Sequence, residues 1–161
     1  MERWVTWKGK HILVGDDGKI VNNKKTLYHT SNSDFNEFDD KKAMSSTMQG
    51  TYGAGHYFFD DKEISDSYGA FNKYQYEVEV DTSNFLKVEQ PTADKWSSQK
   101  EFHNKLNKMG WDKQEGESNF LKRKGVNGVI IVHKRPDNTT WNEYVVYNGK
   151  NINIKNKRGI N

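Results

Sequence analysis

Residues 53–60 read Gly53-Ala54-Gly55-His56-Tyr57-Phe58-Phe59-Asp60, and residues 64–68 read Ile64-Ser65-Asp66-Ser67-Tyr68. Two glycines one residue apart allow the backbone to bend sharply and to approach a ligand closely. The aromatic run that follows predicts a strand, and the carboxylate of Asp60 or Asp61 can cap a helix. Ser65 and Tyr68 are three residues apart, so a helix places them on one side. The stretch therefore predicts a strand, a turn and a helix that bring Tyr57, Ser65 and Tyr68 around one small space.

Two interpretations of this stretch stay open. Two phenol rings and a hydroxyl suit a flat heteroaromatic ring that carries an amide. The alternative is an ordinary strand–helix corner whose tyrosines belong to the core, and the stretch alone favours this alternative. Gly53-x-Gly55 lacks the third glycine and the long following helix of a dinucleotide-binding turn, so we reject a Rossmann fold and a P-loop.

Composition indicates one globular domain. The 161 residues are enough for a real core, and the net charge of +3 is weak evidence about partners. The chain has no cysteine, which excludes disulfides and thiolate sites, and no histidine pair has the spacing of a zinc helix. There is neither a bilayer-length apolar run nor a signal-peptide core. We therefore expect a cytoplasmic protein with no metal and no membrane partner.

Hydrophobic periodicity predicts an α+β fold, with mostly antiparallel strands and a few short helices. Residues 73–80 are the clearest strand, because every second side chain is apolar or aromatic. Other strands are predicted at 4–7, 11–14, 26–31, 55–60, 84–89, 129–133 and 141–147. Helices are predicted at 61–70, 92–109 and 112–124. The helix at 92–109 has a predicted buried stripe of Trp96, Phe102, Leu106 and Met109.

The organisation along the chain is predicted as one domain, 1–161, with three parts. Residues 1–25 form a hairpin and a linker, residues 26–155 the core, and residues 156–161 a frayed basic tail. Asn148-Gly149 predicts a hairpin turn, with residues 151–155 as its returning strand. The small, polar segment 41–52 precedes the glycine pair and is a candidate lid.

Glu143 is the most unusual charged residue. Alternation along 141–147 puts it on the same strand face as Trp141, Val145 and Tyr147. A carboxylate on such a face indicates either a strand edge turned to solvent or a functional site, and the two interpretations have similar weight. His29, at the end of another predicted strand, is by itself more typical of a structural histidine.

Read together, these pieces resemble a family. His29, then Gly53-x-Gly55-x-Tyr57-Phe58 with Ser65 and Tyr68, then Asn142-Glu143-Tyr144-Val145-Val146-Tyr147 follow the order of an H-Y-E ADP-ribosyltransferase. The resemblance is to the catalytic domain of the poly(ADP-ribose) polymerase and diphtheria-toxin-like branch, and it covers residues 27–154. Residues 4–20 are similar to a segment of phage head-morphogenesis proteins, some of which carry such a domain.

The resemblance implies split, mostly antiparallel sheets around a cleft that binds NAD as a substrate. It implies that Tyr68 stacks on the nicotinamide ring, that Tyr57 closes the other side and that Ser65 bonds the carboxamide. It further implies that His29 holds the adenosine-side ribose and that Glu143 bonds the 2′-hydroxyl of the nicotinamide ribose.

Other site residues follow from the same resemblance. Gly55 belongs to the NAD-binding strand, and catalysis is assigned to Glu143, His29 and Tyr57. Thr30 stands where many members have a glycine whose backbone contacts the carboxamide. The segment 41–52 would lie over the dinucleotide.

Three functions stay in play. The first is mono-ADP-ribosyl transfer to a macromolecular acceptor, a host protein in preference to a nucleic acid. Trp141 stands where the arginine-modifying branch has Glu or Gln, so arginine is not the expected acceptor. The second is NAD glycohydrolysis on the same site, and the third is an inactive phage structural or interaction module. The sequence does not indicate an oligomeric state.

Overall fold

The computed structural model describes residues 3–7, 10–14, 16, 24–43 and 51–160. Within these ranges the chain forms nine strands and four α-helices. The strands are β1 Arg3–Trp7, β2 Lys10–Val14, β3 Lys24–Ser31, β4 His56–Phe59, β5 Tyr74–Asp81, β6 Phe85–Glu89, β7 Gly128–Lys134, β8 Thr140–Val146 and β9 Ile152–Gly159. The helices are α1 Asp40–Ala43, α2 Lys62–Tyr68, α3 Trp96–Lys108 and α4 Glu117–Arg123.

Seven strands form one sheet in the order β6-β7-β8-β4-β3-β5-β9, while β1 and β2 form an antiparallel ribbon. Neighbours in the large sheet are antiparallel except β6 and β7. Those two parallel strands are joined through α3 and α4, because parallel neighbours need a long crossover connection. The α+β class with mostly antiparallel strands is thereby confirmed.

The large sheet nearly divides between β3 and β4. These strands share one pair in register, Tyr28 with Phe59, whereas β3 and β5 share eight pairs. Beyond that single pair the two strands separate, which leaves an opening between the two halves of the sheet.

Apolar side chains pack on both faces of the sheet. Val145 belongs to one cluster and Val146 to the other, because successive residues of a strand point to opposite faces. The Val145 cluster is completed by Phe102 and Leu106 of α3 and by residues of α4. The Val146 cluster contains Phe58 at the centre of the sheet.

The prediction is wrong for one residue of the buried stripe on α3. Phe102 and Leu106 are fully buried and Met109 packs against the same cluster, but Trp96 is 62% exposed. The inward face runs through Ser98, Phe102 and Leu106 at intervals of four residues, and a residue two positions before Ser98 cannot share it. The Lys95 ammonium instead lies 5.1 Å from the centre of the Trp96 ring.

Two predictions at the C-terminus are also wrong. The predicted return of β8 through a hairpin does not occur: β9 pairs with β5, at the far edge of the sheet. Both edges of β8 are already occupied by β7 and β4, so no returning strand can pair there. Residues 156–159, predicted to fray, belong to β9. There Arg158 bonds Asp66 at 3.0 Å and Lys157 bonds Asp34.

Several predictions concern residues that the structure does not describe. They are positions 44–50 of the candidate lid, and positions 1–2, 8–9, 15 and 17–23 of the predicted N-terminal hairpin and linker. Among the helices of the described ranges, none has the length and apolar character needed to cross a bilayer.

Candidate active site

A cleft of about 460 Å³ opens where β3 and β4 separate. Its walls come from the end of β3, the loop leading to α1, strand β4, the end of α2 and strand β8. The structure brings together all the predicted site residues except Ser65, namely His29, Thr30, Gly55, Tyr57, Tyr68 and Glu143. The volume falls in the range of about 300–1,000 Å³ that is usual for small-molecule sites.

His29 is held by the strand across the cleft. Its Nδ1 lies 2.8 Å from the carbonyl oxygen of Tyr57, and the rings of Phe38 and Phe58 lie 5.4 Å away. Burial lowers the pKa of His29 to about 4, although the Tyr57 carbonyl acts in the opposite direction. The imidazole is therefore neutral at pH 7. Because a carbonyl only accepts hydrogen bonds, Nδ1 carries the proton and Nε2 is an acceptor.

The burial of His29 predicts an acid-sensitive fold. The imidazole is protonated near pH 6.5 in the unfolded chain and only near pH 4 in the folded chain, so acid favours unfolding. The stability of the fold with neutral His29 is fully present above pH 6.5 and is progressively lost as the pH falls towards 4. Between pH 7 and pH 5 we expect the wild type to lose about 2 kcal/mol more unfolding free energy than His29→Asn.

Urea titration of both proteins at pH 7 and pH 5 measures this difference. The His29→Asn amide keeps a donor near the Nδ1 position but does not titrate, so carboxylates elsewhere affect both proteins alike. Equal losses in the two proteins would contradict the account.

Tyr57 has its hydroxyl fully engaged by backbone. It donates to the carbonyl of Gly53 at 2.8 Å and accepts from the amide of Tyr52 at 3.0 Å. Burial raises the pKa of Tyr57, and the negative charge of Glu143 raises it further. The phenol therefore stays neutral and does not exchange protons near pH 7, which leaves its ring face as the part that a ligand contacts.

The two glycines serve packing and turn geometry. Gly53 has φ +95°, a left-handed conformation that side chains disfavour. A Cβ on Gly55 would lie 2.8 Å from Val145 and 3.0 Å from the ring of Tyr147, because this part of the chain is pressed against β8. Gly55 also lines the cleft, and the close approach of its backbone to a ligand stays a prediction.

Helix α2 presents the next two predicted residues. Asp61, one of the two predicted caps, accepts from the amides of Glu63 and Ile64 at 2.8 and 3.2 Å. Ser65 is 1% exposed and does not line the cleft; its Oγ has no hydrogen-bond partner among the described residues. Tyr68 is 60% exposed at the end of the helix, with the ring of Phe59 at 4.8 Å.

Thr30 lies in the extended part of β3 and lines the cleft. Its Oγ1 accepts from the side-chain amide of Asn72 at 3.0 Å. A Cβ on Gly69 would lie 1.8 Å from the same Oγ1, so the end of α2 packs directly on Thr30. The strand keeps its extended form without a glycine at this position.

Glu143 lies on β8 opposite Phe59 of β4. Its side chain is 16% exposed, and Oε1 lies 2.8 Å from Nε2 of His133. Its two neighbours in the chain, Asn142 and Tyr144, both donate hydrogen bonds to the carboxylate of Asp60, the residue that follows β4. Asp60 Oδ2 accepts from the Asn142 amide at 3.0 Å and from the Tyr144 hydroxyl at 3.3 Å. The backbone that carries Glu143 is thereby fixed to β4.

His133 is the site residue that the sequence reasoning missed. It follows a continuous apolar run on β7, and nothing in that run indicates which residue of β8 it meets. The one available signal is the alternation of β7, which puts His133 on the same face as Ile131. Among the described residues, no group of three or more His, Cys, Asp or Glu side chains is arranged to hold a metal ion.

Comparison with known proteins gives one family. A comparison with curated proteins finds no match. A sequence model of the family described as ADP-ribosyltransferase in polyvalent proteins, ART-PolyVal, matches residues 23–160. The match includes β3 to β9 and every residue that lines the cleft. The chain therefore belongs to the ART-PolyVal family of ADP-ribosyltransferase domains.

Proposed function

We propose that this domain is an H-Y-E-type mono-ADP-ribosyltransferase that uses NAD and modifies a macromolecular acceptor. The observation that carries the proposal is the convergence of His29, Tyr57, Tyr68 and Glu143 on one cleft. These residues come from four elements, β3, β4, α2 and β8, of which the first and last are more than one hundred residues apart in the sequence. A neutral histidine, two aromatic faces and a carboxylate are the groups that a dinucleotide with a ribose and a nicotinamide ring needs.

The chain's residues fit NAD on several counts. Tyr57 and Tyr68 hold the nicotinamide ring between them, since the Tyr57 hydroxyl is engaged elsewhere and the Tyr68 ring is exposed. Nε2 of His29 accepts a hydrogen bond from a hydroxyl of the adenosine-side ribose. The buried Oγ of Ser65, which lacks a partner, is available to the carboxamide after a small shift of α2.

Ser65→Ala separates binding from folding. Removing a buried hydroxyl that lacks a partner relieves a desolvation cost, so we expect the free energy of unfolding to stay the same or rise. Removing a bond to the carboxamide should weaken NAD binding about tenfold. Calorimetric titration with NAD and urea unfolding measure the two effects. Ser67→Ala, at an exposed position of the same helix, is the matched control; a destabilised Ser65→Ala protein with unchanged affinity would contradict the assignment.

The carboxylate of Glu143 serves the chemical step. The reaction breaks the bond between N1 of nicotinamide and C1′ of the ribose, and the electron pair leaves with nicotinamide. Positive charge develops on the sugar, as in glycoside hydrolysis. Glu143 accepts a hydrogen bond from the 2′-hydroxyl and stabilises that charge most at the transition state. The acceptor nucleophile then bonds C1′ and gives its proton to solvent.

We propose a protein acceptor other than arginine. Trp141 is the residue two positions before Glu143, where arginine-modifying relatives carry a Glu or Gln. Its ring instead stacks on His133 at 4.0 Å, so the position offers no carboxylate to a guanidinium. The Trp141 ring also lies 6.0 Å from that of Tyr68.

The experiment incubates the purified protein with NAD labelled in its adenosine half, with and without a cell lysate. We expect label on a protease-sensitive species, with the mass of one ADP-ribose unit added per site. Nuclease-sensitive label would overturn the protein acceptor, and chains of units would overturn single transfer. Free ADP-ribose without any labelled acceptor would identify a glycohydrolase instead.

A further inference from the structure

His133 contacts Glu143 from the neighbouring strand. The register places His133 opposite Trp141, so Glu143 is its diagonal neighbour on the same face. The ring is 8% exposed and stacks on Trp141 with centroids 4.0 Å apart and planes 18° apart. Its Nε2 lies 2.8 Å from Oε1 of Glu143. The histidine is thus held rigidly against one oxygen of the carboxylate.

The contact made by the second ring nitrogen, Nδ1, indicates the protonation state of His133. Gln90 donates through its Nε2 to the carbonyls of Thr92 and Lys134, at 2.6 and 2.9 Å. This fixes the amide, so its Oε1 faces Nδ1 of His133 at 3.2 Å. An amide oxygen only accepts hydrogen bonds, and Nδ1 of His133 must therefore carry a proton.

With Nδ1 protonated, the contact between Nε2 and Glu143 requires one more proton. A carboxyl group is a stronger acid than an imidazolium, which puts that proton on the ring. Both N–H groups of an imidazolium then have an acceptor, Gln90 and Glu143. The face of Trp141 stacked on the ring favours a cation there.

We propose that His133 is a positioning residue, which as an imidazolium ion-paired to Oε1 keeps Glu143 ionised and turned so that Oε2 meets the 2′-hydroxyl of the substrate. The inference rests on the proposed function for its catalytic consequence. The ion pair itself is a property of the free protein. Gln90, at the end of β6, accepts a hydrogen bond from Nδ1 of His133 and so supports the pair. Gln90 thereby orients His133, and His133 orients Glu143.

Two variants separate the bond to Glu143 from the bond to Gln90. His133→Asn keeps a donor near the Nδ1 position but none towards Glu143, and we expect kcat for nicotinamide release to fall about ten- to hundredfold with KM for NAD little changed. His133→Gln keeps a donor near the Nε2 position, so it should retain most of kcat. Equal losses in both variants, or a loss carried by KM, would overturn the positioning role.

A spectroscopic test does not depend on turnover. In ¹⁵N-labelled protein at pH 7, we expect the ring of His133 to show both nitrogens protonated, and Glu143→Gln to convert it to a ring with one proton. A ring with one proton in the wild type would overturn the ion pair even if the enzyme is active. Conversely, a protonated ring in a protein that releases no nicotinamide would leave the ion pair intact and refute the proposed function.

Discussion

Glu143→Gln is expected to lower kcat for nicotinamide release from NAD by several hundredfold. The amide keeps the shape of the side chain but has no negative charge to oppose the positive charge that develops on the ribose. Loss of one such preorganised group typically costs about 10²–10³ in kcat. Because the charge is needed mainly at the transition state, KM for NAD should change little. A steady-state assay of nicotinamide release, with a cell lysate supplying the acceptor, measures both constants.

Glu89→Gln is the matched control for this variant. Its side chain is 71% exposed on β6, away from the cleft, so the same chemical change should leave kcat within twofold of the wild type. Circular dichroism and urea unfolding verify that Glu143→Gln is folded. A folded Glu143→Gln protein with unchanged kcat would remove the carboxylate from the mechanism.

Phe58→Ala is expected to destabilise the fold by about 3–5 kcal/mol. Phe58 lies on the central strand β4, is completely buried, and packs against the rings of His29 and Phe38. Deleting the ring removes buried apolar area and leaves a cavity beside His29. The free energy of unfolding in urea measures the loss, and NAD affinity should fall as well because His29 loses a packing partner.

Phe71→Ala provides the comparison within the same chain. Phe71 is 95% exposed, and its truncation should change the free energy of unfolding by no more than about 0.5 kcal/mol. The difference between the two variants isolates the effect of burial from that of the amino-acid change. Similar values for both would mean that the central strand is not packed as described.

Local patterns in the sequence were sufficient for most elements. Alternation in residues 73–80 predicts β5, and the run at 129–133 predicts β7, because both record which side chains face a core. Local sequence patterns do not indicate which strands pair when they are far apart in the chain. Asn148-Gly149 has the composition of a hairpin turn, yet the chain continues to β5 because β4 and β7 already occupy the edges of β8.

In the candidate site, too, local motifs could be predicted from the sequence but long-range contacts could not. Motifs in order along the chain indicated His29, Tyr57, Tyr68 and Glu143, and the fold brings all of them to one cleft. The partner of Glu143 could not be predicted, since a diagonal contact depends on the register of β7 against β8. A one-residue shift of that register would point His133 to the opposite face of the sheet.

The packing role of Gly55 could not be predicted from the sequence either. A glycine pair indicates freedom of the backbone, but the sequence does not say what presses against it. Contact with Val145 and Tyr147 gives the reason, because any side chain at Gly55 would push β4 away from the strand that carries Glu143. The spacing between these two strands is therefore fixed by the absence of a Cβ.

Nicotinamide release by the purified wild-type protein tests the central claim most directly. The protein is incubated with NAD and a cell lysate that supplies the acceptor, and free nicotinamide is measured over time beside the Glu143→Gln variant. We expect steady release by the wild type that is reduced several hundredfold in the variant. No release by a folded wild-type protein, together with no heat of NAD binding, would contradict it and would leave an ADP-ribosyltransferase fold without its chemistry.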